Sequence, residues 1–267
     1  MKSLKMQCII EGMKNSSKCA QKGSALFLIL IGVALFAALG YAVSNMMKGG
    51  STTNINDEKA RIYAGEILDY GRTMRQTVQN LRISNRCRDT DISFENQIES
   101  GYVNGTNTQC QVFHSDGGGM SYIPPNGQWL DQNASSNNLF GELFFTGETC
   151  INGLGTDNAA SDCRDFTSDY AELFLIMPYL KEDVCFAIAE ISEVLRPDNT
   201  IPIDYQRAWP DADPKFTGSY SSENILSNNN GGDSSQTLEG TTKGCFEAGG
   251  VNPASDTYHF YQVLIAR

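Results

Sequence analysis

The pattern of hydrophobic and polar positions begins with one continuous apolar run. From Ala25 to Val43 no residue is charged and none is proline. The length of the run is about what a helix needs to cross the roughly 30 Å hydrocarbon layer of a bilayer, so it predicts a transmembrane helix over 24–47 with lipid contact through 25–43. Two alternatives stay open. The small residues of Ala38-Leu39-Gly40 fit a cleavable signal peptide, and the run also fits a helix packed among like subunits of a filament.

A polar hinge over 48–56, with Gly49-Gly50 inside it, separates this run from a second helical pattern. Over 57–85 the apolar residues recur at spacings of three and four, which predicts an amphipathic helix with one apolar stripe. The stripe contains Ala60, Ala64, Ile67, Gly71, Met74, Val78 and Leu81. It packs either on a sheet of its own domain or against a neighbouring subunit.

The remainder, 86–267, alternates short strand-like segments with polar loops. "CQVFH" and "MSYI" flank "SDGGG", which is typical of a β-hairpin, and "LFGELFFTG", "AELFLIMPY" and "YHFYQVLIAR" predict further strands. "KEDVCFAIAEISEVL" predicts a helix that Pro197 ends. The predicted fold class is therefore α+β: an N-terminal transmembrane helix, an amphipathic helix, and then a disulfide-bonded antiparallel β-rich domain.

Charge predicts the orientation of the chain. Five lysines and one acid precede the apolar run, so the positive-inside rule makes 1–23 a cytoplasmic leader and places 86–267 outside the cytoplasm as an α+β domain. The chain has 20 basic and 31 acidic residues, which leaves a formal charge of about −15 after the leader. Nucleic acid and anionic lipid surfaces would repel such a domain, so we expect no nucleic-acid partner.

Cysteine usage agrees with this orientation. Six of the eight cysteines follow the apolar run, an even number that suits disulfides in an oxidising compartment. Zinc is a weaker interpretation because no C-x2-C pair is present. The sequence leaves the pairing open, although the short loop between two of them favours Cys150–Cys163. The six are Cys87, Cys110, Cys150, Cys163, Cys185 and Cys245.

No motif for catalysis stands out. "HSDGGG" offers a His–Asp pair beside backbone amides, but it is more typical of a strand that runs into a turn, and no G-x-S-x-G is present. The second histidine, His259, alternates within the terminal strand as a packed or surface residue. Acidic loops at 157–162 and 211–213 contain possible Ca²⁺ ligands without the EF-hand spacing. We therefore expect no enzyme activity, no cofactor and no metal.

The lysine-rich leader, Gly23, the apolar helix and its amphipathic continuation together resemble type IV pilins and pseudopilins over about the first 85 residues. "ALFLILIGVALFAALGYAVS", "CQVFHSDGGG" and "YHFYQVLIAR" are also similar to pilin-like membrane proteins of alphaproteobacteria. The resemblance implies that a prepilin peptidase cuts after Gly23 and leaves Ser24 as the mature amino terminus. It further implies a single-pass protein of the bacterial inner membrane, with other pilin-like subunits as possible partners.

The chain departs from the family pattern at two positions. Pilins usually carry an aromatic residue where Ser24 stands, and a glutamate at the fifth mature position, where Leu28 stands. In the family that glutamate neutralises the amino terminus of an adjacent subunit, and an unpaired charge in an apolar environment is costly. These departures favour a minor or tip subunit with an extracytoplasmic recognition domain. The alternative is a non-assembling, membrane-tethered periplasmic module that binds a glycan or a protein, with Trp129 and Trp209 as possible stacking surfaces.

Overall fold

The computed structural model describes residues 24–48, 52–155, 163, 171–209, 215–221, 224–227, 237–250 and 253–267. The chain divides into two compact units, Met1–Thr52 and Thr53–Arg267. The predicted leader over 1–23 and residues 49–51 of the predicted hinge lie outside the described residues.

The first unit contains helix α1, Ser24–Lys48. Within the part of the chain that the structure describes, no helix combines the length and the apolar character needed to cross a membrane. The prediction of a transmembrane helix over 24–47 is therefore wrong.

Helix α2, Thr52–Ser84, begins five residues before the predicted amphipathic helix and ends one residue before its end. All seven stripe residues are buried. A Cβ atom added at Gly71 would lie 3.0 Å from the ring of Phe260, and the Gln79 Nε2 donates a hydrogen bond of 2.8 Å to the Leu264 carbonyl. The stripe thus packs on a sheet of its own domain and is not an exposed surface for a neighbouring subunit.

The second unit is built on a six-stranded sheet. Its strands are β1 (Phe144–Ile151), β2 (Glu172–Leu180), β3 (Ile203–Asp204), β4 (Asn224–Leu226), β5 (Lys243–Ala248) and β6 (Tyr258–Ile265), in the spatial order β3-β5-β6-β2-β1-β4. Helix α3, Glu182–Ile191, follows β2, and the described residues also form short 3-10 helices at Asp89–Asp91, Thr108–Cys110 and Gln132–Ala134.

The sheet is mixed, which corrects the predicted antiparallel domain. The central pairs β1–β2, β2–β6 and β5–β6 are antiparallel, whereas β4 pairs with β1 and β3 pairs with β5 in parallel. Parallel pairing needs a long crossover connection. The chain between β1 and β4 contains β2, α3 and β3, and the chain between β3 and β5 contains β4. The predicted hairpin around "SDGGG" is also wrong, because its segments form turns and a single parallel bridge between Ser93 and Gln111.

Both faces of the sheet are buried. Successive side chains of a strand point to opposite faces, so the neighbours Phe144 and Phe145 enter different halves of the core. Phe145 stacks on Phe94 at 3.8 Å between ring centroids, and Phe144 meets Trp209 edge to face at 5.4 Å. Every residue of β2 is buried, as its almost uninterrupted apolar sequence requires.

Candidate functional site

The strongest candidate for a recognition site is a surface groove of about 450 Å³ between segments 95–98 and 111–122. Ile98 in one wall is 59 % exposed, and Ile123, next to the groove residue Tyr122, is 54 % exposed. These exposed apolar side chains and the polar groups of the lining make the groove a candidate for recognition of a partner. The groove is lined by Glu95, Asn96, Gln97, Ile98, Gln111, Phe113, His114, Met120, Ser121 and Tyr122.

The floor of the groove belongs to the core. The Tyr122 hydroxyl donates to the Leu143 carbonyl at 3.0 Å and accepts from the Leu143 N–H at 3.2 Å, while Phe113 packs edge to face on Tyr122 at 5.7 Å. Burial raises the pKa of Tyr122, so the phenol stays protonated and keeps both bonds. The groove is therefore a preformed feature of the fold.

One wall of the groove is held by an ion cluster. The Lys215 Nζ donates to the Ser100 carbonyl at 3.1 Å and lies 3.2 Å from a carboxylate oxygen of Glu142 and 3.8 Å from one of Glu99. Burial, together with the charge of Glu142, raises the pKa of Glu99. Asn96 stabilises a turn in the same segment, because its Oδ1 accepts hydrogen bonds from the N–H groups of Ile98 and Glu99. Lys215 thus connects the wall to two other segments of the domain.

"HSDGGG" forms a turn beside the groove. The His114 Nδ1 accepts the N–H of Asp116 at 3.1 Å, and the N–H groups of Gly117, Gly118 and Gly119 all donate to backbone carbonyls. None of these amides is free to bind an anion. Glycine is required at Gly118 because an added Cβ would lie 2.4 Å from the Val112 carbonyl oxygen, so the turn has a packing role.

His259 is a buried structural residue. Its Nδ1 accepts the Tyr179 N–H at 3.3 Å, so its Nε2 carries the proton and donates to the Thr257 hydroxyl at 2.7 Å. The rings of Trp209 and Phe246 pack against the imidazole at 4.9 and 5.3 Å between centroids. Burial lowers the pKa of His259 to about 3, which keeps the ring neutral. The sequence-based interpretation left open whether this residue was packed or exposed, and the structure shows it packed.

Two buried carboxyl groups have no counterpart in the sequence-based candidates. Glu172 accepts the Ile151 N–H with one oxygen, and Asp204 accepts the Gln206 and Ser227 N–H groups with one oxygen. Among the described residues, the second oxygen of each finds no hydrogen-bond partner. Burial raises the pKa of Glu172 to about 8 and that of Asp204 to about 7. An acid beside a long apolar run, as in "AELFLIMPY", is the signal that could have identified Glu172.

The prediction of disulfide bonds is confirmed. Three are present, with Cα–Cα distances of 5.4–5.8 Å. The α2 disulfide, Cys87–Cys110, fixes the chain just after α2. The β1 disulfide, Cys150–Cys163, is the pair with the shortest loop, and the α3 disulfide, Cys185–Cys245, connects α3 to β5.

The remaining sequence-based candidates contribute little to a site. Gly23 lies outside the described residues, and Ser24 is the first residue of α1. The acidic loops at 157–162 and 211–213 also lie outside them, and the described residues contain no group of His, Cys, Asp and Glu that could hold a metal ion. Trp209 is only 2 % exposed and Trp129 packs against the core, so Trp209 is not a stacking surface for a sugar.

Comparison with protein-family models, with curated proteins and with solved structures gives no match. The resemblance to pilins and pseudopilins therefore stays a prediction from the first 85 residues. Sequence reasoning missed the groove and Lys215, because the groups that form them come from segments far apart in the chain and follow no local pattern.

Proposed function

We propose that this protein is a pilin-like or pseudopilin-like structural protein, a minor or tip subunit with an extracytoplasmic recognition domain. The observation that carries this proposal is the exposure of helix α1. Its consecutive residues Phe27, Leu28, Ile29 and Leu30 are each 64–66 % exposed, and Phe36 is 81 % exposed. Four consecutive helical residues cover every direction around the helix axis, so the apolar surface is continuous around α1.

The apolar surface of α1 requires another apolar surface that packs against it. Leaving apolar surface in water costs about 25 cal/mol per Å², and several fully exposed Leu, Ile or Phe side chains each forgo roughly 1.5–3 kcal/mol. Like helices from other subunits would supply an apolar surface of matching length on every side. This arrangement accounts for a helix that is apolar all round, whereas the one-sided stripe of α2 is satisfied within its own domain.

The disulfides support an extracytoplasmic recognition domain. Disulfides persist in oxidising compartments and are rare where thiols are kept reduced. Leu28 supports the minor or tip position, because its side chain provides no charge to neutralise the amino terminus of an adjacent subunit. We therefore expect a low copy number among the subunits of purified surface filaments.

The experiment is a comparison of two charge substitutions on exposed apolar residues. Phe36→Glu places a carboxylate on the α1 surface, and Ile83→Glu places one on α2, where the side chain is 76 % exposed. Chemical cross-linking followed by size separation should show that the first variant loses its high-mass adducts while the second keeps them. Equal cross-linking of Phe36→Glu and the unsubstituted chain would contradict the proposal.

The groove favours a second candidate, a non-assembling module that binds a protein partner. Its preformed floor and the exposed Ile98 and Ile123 are the observations in support. The two candidates differ in which surface matters. Ile98→Glu would abolish partner capture in the second case and would leave α1-dependent cross-linking intact in the first.

A further inference from the structure

The described part of the chain contains two Asn-x-Ser/Thr sequences, Asn104-Gly105-Thr106 and Asn133-Ala134-Ser135. This triplet is the acceptor sequence for N-linked glycans in exported proteins, provided that the asparagine lies in an accessible surface segment. The two asparagines differ in what their side-chain amides do, and the difference decides which of them can be modified.

The side chain of Asn104 is part of the fold. Its Nδ2 donates to the Thr90 carbonyl at 2.7 Å and to the Ile92 carbonyl at 2.8 Å, which engages both amide hydrogens. A Cβ added at Gly218 would lie 2.5 Å from the Asn104 Oδ1, so a neighbouring segment packs closely on the same side chain. An attached sugar would replace one of the two amide hydrogens, so at least one of these hydrogen bonds would be lost, and the sugar would collide with that segment.

Asn133 has the opposite environment. It is exposed and lies in the 3-10 helix Gln132–Ala134, which is anchored from below by the buried Ala134 and by the Asp131 N–H bond to the Tyr179 carbonyl of β2. The Asn133 Nδ2 donates to the Asp131 Oδ1 at 2.9 Å, a contact within the same turn. Ser135, whose hydroxyl completes the triplet, is also exposed. The amide is held at the surface on a rigid turn.

We propose that Asn133 is the acceptor of an N-linked glycan. The proposal rests on the extracytoplasmic location given under the proposed function, because glycan transfer of this kind takes place outside the cytoplasm. The donor is a lipid-linked oligosaccharide diphosphate, presented by an oligosaccharyltransferase. The Asn133 Nδ2 forms a bond to the anomeric carbon as the bond from that carbon to the diphosphate oxygen breaks. The diphosphate leaves with the bonding electrons, and the amide loses one proton to a base of the transferase.

The test is intact-mass measurement and peptide mapping of the full chain purified from its own cells. The expected result is one added oligosaccharide on the peptide that contains Asn133 and none on the peptide that contains Asn104. Asn133→Gln and Ser135→Ala should each lose the whole adduct. Ser136→Ala, a substitution of the adjacent exposed serine, should keep it.

A second reaction separates acceptor chemistry from location. The purified, folded full chain is incubated with an oligosaccharyltransferase and a lipid-linked oligosaccharide, and the same peptides are mapped. An unmodified protein from cells, or a glycan that survives Asn133→Gln, would overturn the proposal. If the folded chain accepts the glycan in the purified reaction but the cellular protein is unmodified, the acceptor geometry holds, and the proposal fails at the extracytoplasmic location on which it rests. If neither sample is modified, the acceptor site itself fails and the proposed function stands untouched.

Discussion

Replacing Lys215 by methionine removes a cation that holds the wall of the groove. The Lys215 side chain is only 12 % exposed, whereas Glu99 and Glu142 are 20 % and 30 % exposed. Methionine keeps the apolar stem of the lysine and deletes the ammonium group. The Ser100 carbonyl then loses its donor, and the two carboxylates are left facing each other without a counter-ion.

The expected loss follows from these contacts. A hydrogen bond from a charged donor contributes roughly 1.5–3 kcal/mol. The two ion pairs are partly open to solvent and contribute roughly 1 kcal/mol together after screening. Lys215→Met should therefore lower the free energy of unfolding by about 2–4 kcal/mol. Adding Glu99→Gln and Glu142→Gln should recover roughly half of the loss, because removing every charge of a buried cluster costs less than removing one partner.

Urea denaturation of the oxidised protein measures this loss, and hydrogen exchange of the amides in segment 95–100 shows whether the wall loosens. Lys59→Met is the matched control, because Lys59 is exposed on α2 and its loss should change stability by about 0.5 kcal/mol or less. If Lys215→Met also falls within that range, the cluster does not hold the wall and the reasoning from its geometry is refuted.

Three further predictions concern the buried core. Replacing both cysteines of the α3 disulfide by alanine should cost about 1.4 kcal/mol more in urea unfolding than the same change at the β1 disulfide, because its sequence separation is 60 residues and not 13; equal costs would contradict the loop-entropy argument. The pKa of His259 falls from about 6.5 in the unfolded chain to about 3 in the fold. The contribution of the neutral ring to the free energy of unfolding is therefore complete above pH 6.5 and is lost as the pH falls toward 3. Between pH 6.5 and 5 the unsubstituted protein should lose about 2 kcal/mol more than His259→Gln, and parallel stability curves would show that the ring is not desolvated. The raised pKa of Glu172 acts in the other direction, because its contribution is complete below about pH 4.5 and is lost as the pH rises through about 8. Between pH 5 and 7 the free energy of unfolding of the unsubstituted protein should fall by about 2–3 kcal/mol more than that of Glu172→Gln. Equal falls in the two proteins would rule out a buried protonated carboxyl.

Some features of the candidate site could be approached from the sequence and others could not. "HSDGGG" was recognisable as a turn, since three consecutive glycines break any regular element. The floor at Tyr122 could not be found, because its hydrogen-bond partner is the backbone of Leu143, and a backbone group has no sequence signature. The pairing of Lys215 with Glu99 and Glu142 was equally hidden among many surface charges of both signs.

The sequence by itself determined the elements whose burial follows a local period. Three sequence features indicate how a segment is buried or cross-linked. They are the apolar stripe of α2, the almost uninterrupted apolar strand β2 and the even number of cysteines after the apolar run. A stripe shows that a helix has a buried face, but the same stripe fits a neighbouring subunit, and only the contact of Gly71 with Phe260 decided for the chain's own sheet.

Tertiary structure alone decided how distant segments meet. The parallel edges β3 and β4 are two and three residues long, too short to show any period, and their direction is set by the long connections that lead into them. The disulfide Cys185–Cys245 and the ion cluster at Lys215 likewise join positions separated by many residues. Such contacts form because the sheet, packed on α2, brings loops that are distant in sequence close together. No local pattern of residues predicts which loops become neighbours.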